Sequence, residues 1–289
     1  MSYFLISSAI LITCVALYAV FIETKLLKIE KVRITTDKKI NGGSLRILHL
    51  SDLHYKEHDP WKMRVFKKLS GEQFDLILIS GDSLDEMEAL PNLIDAVGSI
   101  NTRLGTYYVF GNHDHFSYSC RDSLRVVLGL AKKNSTLRKD IQKIADALEK
   151  NYHNTLHNRN MYIGEANATI VGVDDMYAGK TDVKKACLDL KTDSYNILLA
   201  HNPDSVMYAS DKLIDLALCG HTHGGQVCFP FIGAFVTHSI LPTKKASGLV
   251  EINGVKTYVS RGLSNFRFLP FRFLCRPEIT VITVEGKPV

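Results

Sequence analysis

The chain has no Cys-x-x-Cys pair, no internal repeat, no low-complexity tract and no long run of basic side chains. Its six cysteines, Cys14, Cys120, Cys187, Cys219, Cys228 and Cys275, fall at irregular intervals. That spacing disfavours a thiolate zinc site and a disulfide framework, and reduced thiols are expected. Cys219 and Cys228 flank a histidine cluster, but Cys219 closes an apolar run, where free cysteine packs as a small hydrophobe. The formal charge is only +5 over 289 residues, with much of the excess between Lys25 and Lys39. An extended nucleic-acid surface is therefore disfavoured.

Charge is also missing throughout residues 3–22. As a helix this stretch is about 30 Å long, the thickness of a hydrocarbon core. It is apolar on every face, unlike an amphipathic surface helix. A cleaved signal peptide is the competing reading, but no Lys or Arg precedes the stretch and no small-x-small site stands near residues 16–21. Residues 1–24 are thus expected to form a single-pass anchor in the inner or plasma membrane. Lys25, Lys28, Lys31, Arg33, Lys38 and Lys39 follow it, so the positive-inside rule puts the remainder in the cytoplasm.

The rest of the chain is long enough for one large α/β domain. Residues 25–44 read as a juxtamembrane segment and entry strand, and residues 45–289 as the catalytic domain. Residues 31–35 and 45–50, on either side of Asn41-Gly42-Gly43, predict a hairpin-like entry into a sheet. Apolar runs at 74–80, 105–110, 195–200 and 213–219 predict buried strands, each ending in a polar cluster. Residues 61–69 and 84–100 predict helices, with Pro91 marking a break or a new start. Residues 115–151 read as a helical insertion with two helical stretches in 121–151. The second places Leu137, Ile141, Ile144 and Leu148 on one face. It is either a surface helix or a lid.

The polar clusters carry the chemistry: Asp52-Leu53-His54, Gly81-Asp82-Ser83-Leu84-Asp85, Gly111-Asn112-His113-Asp114, His201-Asn202 and Gly220-His221-Thr222-His223. Ligands in open α/β sheets collect beyond the carboxyl ends of strands, so one pocket can gather all five. Asp52 and His54 can turn toward one ion. Asp82 is the expected bridge between two ions about 3.5 to 4 Å apart. Asn112 adds a carbonyl oxygen and His201, His221 and His223 add imidazoles. Hard oxygen with borderline nitrogen suits Mn, Fe, Zn, Co or Ni, with Mn favoured, and disfavours calcium. A flat strand would point His221 and His223 apart, so the flanking glycines are expected to bend the chain. Two divalent ions, two aspartates and a bridging hydroxide leave about one positive charge, which favours a phosphate and in-line attack by the hydroxide. His113 is placed to protonate the leaving oxygen or to stabilise its developing charge. Asp85 either orients His113 or caps the following helix.

This ordered pattern resembles the calcineurin-like metallophosphoesterase superfamily, over residues 45–284. The resemblance implies a layered β-sheet sandwich flanked by helices, here with an N-terminal transmembrane helix. It assigns Asp52, His54, Asp82 and His223 to one metal and Asp82, Asn112, His201 and His221 to the other, with His113 and Asp85 as the catalytic pair. The anchor, His201-Asn202-Pro203-Asp204, His221-Thr222-His223-Gly224-Gly225-Gln226 and Tyr258-Val259-Ser260-Arg261-Gly262 look like the bacterial membrane-associated phosphodiesterase branch, which includes UDP-2,3-diacylglucosamine hydrolases. The twin-arginine signal of some relatives is absent. Glu86 stands where Ser/Thr protein phosphatases of the superfamily have arginine, which disfavours that activity.

The expected function is hydrolysis of a phosphodiester or pyrophosphate bond, with a nucleotide-lipid such as UDP-2,3-diacylglucosamine as a candidate substrate and the bilayer as a partner. A non-catalytic metal-binding scaffold and a nuclease are the alternatives. Phe229-Pro230-Phe231 and the aromatic-arginine alternation of 265–273 suit a lipid interface. The preferred reading for most of these rings, however, is that they close the core while the arginines make salt bridges.

Overall fold

Strands with apolar side chains at successive positions bury both faces, and that burial builds the frame. The computed structural model describes residues 2–117, 137–265 and 270–287. In chain order the long strands are β1 (Lys28–Thr35), β2 (Ser44–Leu50), β3 (Leu76–Ser80), β4 (Thr106–Val109), β5 (His153–Thr155), β6 (Arg159–Ile163), β7 (Ala168–Gly172), β8 (Tyr195–Leu199), β9 (Leu216–Cys219), β10 (Gly248–Ile252), β11 (Val255–Val259) and β12 (Glu278–Glu285). They form two six-stranded sheets, ordered β1-β12-β2-β3-β4-β5 and β6-β7-β8-β9-β11-β10.

Alternation sorts each strand between two cores. Leu45 and Ile47 of β2 and Leu76 and Leu78 of β3 meet Ile170, Ile197, Leu216 and Leu218 of the other sheet. Their neighbours Leu48, Leu50, Ile77 and Ile79 face outward. There they are covered by three helices that follow the apolar α1 (Ser2–Leu17) in the chain: α2 (Pro60–Leu69), α3 (Leu90–Gly98) and α4 (Ile141–Lys150). On the outer face of the second sheet, Val171, Leu198 and Ala217 pack with Val183, Ala186 and Val206. The expected layered sandwich flanked by helices is the architecture found.

The helices start where local chemistry favours it. Asp59 accepts the Lys62 N–H at the head of α2, and Pro60 occupies its first turn. Pro91 sits in the first turn of α3, which continues from a 3-10 turn at Met87–Ala89. Residues 84–86 are not helical, unlike the expected 84–100 helix. Leu84 bridges to Tyr55 and the Asp85 N–H donates to the Tyr55 carbonyl.

The hairpin-like entry is also corrected. β1 pairs in parallel with β12, and β12 pairs antiparallel with β2, so the last strand of the chain lies between the first two. The 36–43 connection is long enough to step across one strand. In the 115–151 insertion, α4 supplies Ile144 and Leu148 to the core. The first expected helical stretch, together with Cys120, lies largely or wholly outside the described residues, as do Phe266, Arg267, Phe268 and Leu269.

The apolar N-terminal stretch forms a continuous helical span, Tyr3–Lys25, long and apolar enough to cross a membrane. Very little of it is covered by the rest of the chain.

Candidate metal centre

β2, β3 and β4 of the first sheet and β8 and β9 of the second all end at one place, and each hands over one of the five polar clusters. Asp52, His54, Asp82, His113, His201 and His223 are buried there. Three sets of ligand atoms lie within 4.8 Å of one another: Asp52, His54 and His223; Asp52, Asp82 and His201; and His54, Asp85 and His113. No cysteine belongs to these sets. Cys219 is buried, and that burial pushes its thiol up, while the Cys228 thiol meets the Gly224 carbonyl.

The backbone is forced into an unusual shape to achieve this. Asp52, His54, Asp82, His221 and His223 have φ of 50°, 41°, 52°, 69° and 48°, left-handed values that cost an L-residue about 1 kcal/mol or more each. This bend turns His221 and His223 to the same centre. Two glycines permit the close approach. A Cβ at Gly81 would stand 2.7 Å from His201 Nδ1, and one at Gly220 would collide with Ser51 Oγ and Asp52 Oδ2.

Each histidine is tied from outside. His201 Nδ1 donates to the Ser80 carbonyl at 2.8 Å and His223 Nδ1 to the Ser264 carbonyl at 3.1 Å, while His54 Nδ1 meets Asp85 Oδ1 at 2.9 Å. These partners leave Nε2 of each ring facing inward. His201 Nε2 lies 3.2 Å from Asp82 Oδ2, His54 Nε2 lies 3.7 Å from the same oxygen, and His223 Nε2 lies 3.6 Å from Asp52 Oδ1. His221 Nε2 donates to the His238 carbonyl, and its Nδ1 lies 3.2 Å from His201 Nε2. A ring fixed by its outer nitrogen presents the inner one to a cation in a set orientation.

The donor set fits divalent ions on a separate ground. His54 Nε2 and Asn112 Oδ1 are buried with no hydrogen-bond partner among the described residues, a costly condition unless an ion takes the lone pair. Electrostatics agree. Burial works against charge on Asp82, yet His201 and His113 hold its carboxyl well below the usual range. Burial lowers His201, but Asp82 and Asp52 carry it up to about 10. Burial takes His113 and His223 down to about 3. His201 would have to give up that proton to serve as a ligand to a cation held here.

The structure places Asp85 nearer to His54 than to His113, 2.9 Å against 3.9 Å. It heads no helix, so the capping alternative falls. His113 lies edge-on to His54, with ring centroids 4.7 Å apart. Other supporting groups went unread in the sequence. Asp114 accepts the N–H groups of Ser83, Leu84 and Gly111, which locks two ligand loops together. Lys62 donates to the His54 carbonyl and Lys139 to the His113 carbonyl. The Gly-Asn-His-Asp run was a signal for Asp114; nothing marked the two lysines.

Two carboxylates among inward-facing imidazoles define a metal-dependent hydrolase site rather than a structural zinc site. The model of the calcineurin-like phosphoesterase family matches residues 45–225, and the chain belongs to that family, a family of hydrolases. It is 28% identical to the uncharacterized metallophosphoesterase YkuE of Bacillus subtilis, over 93% of this chain and 89% of that protein. It is 26% identical to the UDP-2,3-diacylglucosamine pyrophosphatase LpxG of Chlamydia muridarum, over 94% and 93%. With the phosphodiesterase YaeI of Escherichia coli it shares 29% identity, over 84% of this chain and 83% of that protein.

Proposed function

We propose that the protein is a membrane-anchored phosphodiesterase or pyrophosphatase that works with two divalent ions, Mn favoured. The observation that carries this reading is the outward tethering of His54, His201 and His223, which turns three Nε2 atoms toward Asp52 and Asp82. Asp52, His54, Asp82 and His223 would hold one ion; Asp82, Asn112, His201 and His221 would hold the other. Bound divalent ions supply charge stabilisation at the phosphoryl oxygens and lower the pKa of water. His113 meets the leaving oxygen. Because burial keeps its imidazole neutral, its role is to donate an N–H hydrogen bond to developing charge rather than to enter as imidazolium.

Manganese-dependent hydrolysis of bis-p-nitrophenyl phosphate tests the reading, with metal content measured by mass spectrometry. His113→Ala is expected to lower kcat about 100-fold or more with metal content kept. Asp82→Ala is expected to lower both. Full activity in Asp82→Ala, or no activity with any divalent ion, would sink the proposal.

The substrate we favour is lipid-linked. LpxG supports this, as do the exposed Phe231, Ile232, Phe235, Val236 and Ile240, which flank the His238 carbonyl that holds His221. Phe229 and Phe231 are thus exposed rather than closing the core, and the Arg272 guanidinium is buried on carbonyls instead of a salt bridge. UDP-2,3-diacylglucosamine in micelles should be turned over faster than soluble nucleotide esters, and equal turnover would remove the preference. Residues 1–24 are the anchor and the catalytic part lies in the cytoplasm. Digestion of that part by protease added outside intact cells would reverse the orientation.

A further inference from the structure

A cleft of about 140 Å³ opens between the end of the N-terminal helical span and the metal centre. It is lined by His54 and Asp85 of the metal centre, by Lys25 at the end of the span, and by Lys56, Asp59, Trp61 and Lys62. The membrane span therefore contributes a side chain to the mouth of the hydrolytic site.

That end of the span is fixed in place. Glu23 is 1% exposed, and its carboxylate accepts the N–H groups of Leu274 at 3.0 Å and Cys275 at 2.6 Å. The Arg272 N–H donates to the Ala19 carbonyl, and Arg276 Nε donates to that of Leu26. Lys25 is thus held relative to the catalytic domain, with its ammonium 5.0 Å from the Trp61 ring centroid.

The cations of the cleft differ in their engagements. Lys62 is paired with Asp59 at 2.7 Å and with the His54 carbonyl at 2.9 Å. Lys25 and Lys56 have no ion-pair partner among the described residues, and both are exposed. The carboxylates beside them are already engaged, Asp59 by Lys62 and Asp85 by His54. The cleft therefore presents two ammonium groups, those of Lys25 and Lys56, that no carboxylate of its lining pairs with. Lys25 also closes the apolar span, the position at which a lysine sits among lipid headgroups.

Resting on the reading of the metal centre above, we propose that this cleft is the lipid-side subsite. It takes the anionic head of an acyl lipid that stays in the bilayer, and Lys25 and Lys56 pair with an anionic group of that head while Trp61 flanks it. The substrate class is accordingly a membrane-resident phosphate ester with a charge beyond the one at the metals.

Trp61 is the only tryptophan of the chain, so its fluorescence reports the cleft without reference to turnover. Full-length protein, as purified in neutral detergent micelles, is titrated with hexadecylphosphonate, which cannot be hydrolysed, with methylphosphonate and with hexadecanol. A saturable change with hexadecylphosphonate is expected, at least tenfold weaker in Lys25→Gln/Lys56→Gln and in Lys56→Glu, and at least tenfold weaker for either other probe. An equal response to methylphosphonate or hexadecanol, no response, or unaltered binding in both variants overturns the subsite. Manganese-dependent hydrolysis of bis-p-nitrophenyl phosphate by the wild type judges the parent reading separately. Hydrolysis with a silent Trp61 defeats only the cleft, and binding without hydrolysis defeats only the parent.

Discussion

His49 is fully buried three positions before Asp52, with Nε2 2.9 Å from Ser80 Oγ. Burial pushes its imidazole down to about 3 from the ordinary 6.5. Between these values the unfolded chain binds a proton that the folded chain refuses, so stability rises with pH. The contribution is complete above pH 6.5 and is lost as pH falls toward 3, at about 1.4 kcal/mol per pH unit inside that window. Thermal unfolding from pH 7 to pH 4 should show a slope that contains this part, added to those of His113 and His223, which burial also takes down to about 3. His49→Gln keeps a partner for Ser80 and should reduce the slope by about 1.4 kcal/mol per pH unit; equal slopes in the two proteins would remove His49 from the acid limb.

Loops rather than strands carry the ligands, and the loops are clamped to one another. Asp114, fully buried, receives three backbone N–H groups from the Asp82 and Asn112 loops. Asp114→Ala leaves those donors unpaired at about 1 to 3 kcal/mol each. A loss of at least about 3 kcal/mol is expected, seen as a lower denaturant midpoint with unchanged slope; a midpoint within error of wild type would show that water replaces the clamp. β2, β3, β4, β8 and β9 were readable from the sequence because strands buried on both faces are apolar throughout, and the clusters were readable because each follows such a run. The place of β12 was not, since pairing between Lys28 and Glu278 leaves no local trace. Nor were the outer partners of His201 and His223, because backbone carbonyls at Ser80 and Ser264 can receive any side chain.

The apolar N-terminal span is docked on the catalytic domain by hydrogen bonds to the backbone carbonyls of Ala19 and Leu26 and by one buried carboxylate. Glu23 stands at the foot of an otherwise apolar span, and the N–H groups it receives belong to the segment whose Cys275 thiol touches the His223 carbonyl. A loosely tethered enzyme would let its mouth face any direction, whereas under the proposed anchoring a docked span would hold the cleft at headgroup depth. Glu23→Ala strands two buried donors, a cost of about 1 to 3 kcal/mol each, and should release the foot of the span without unfolding the sheets. Amide exchange at Leu274 and Cys275 is expected to quicken at least about tenfold, with β3 and β8 unaffected, and Glu23→Gln, which retains one acceptor oxygen, should fall between. Unchanged exchange at Leu274 and Cys275 in Glu23→Ala would mean that packing and the hydrogen bonds to the backbone carbonyls of Ala19 and Leu26 dock the span without the carboxylate.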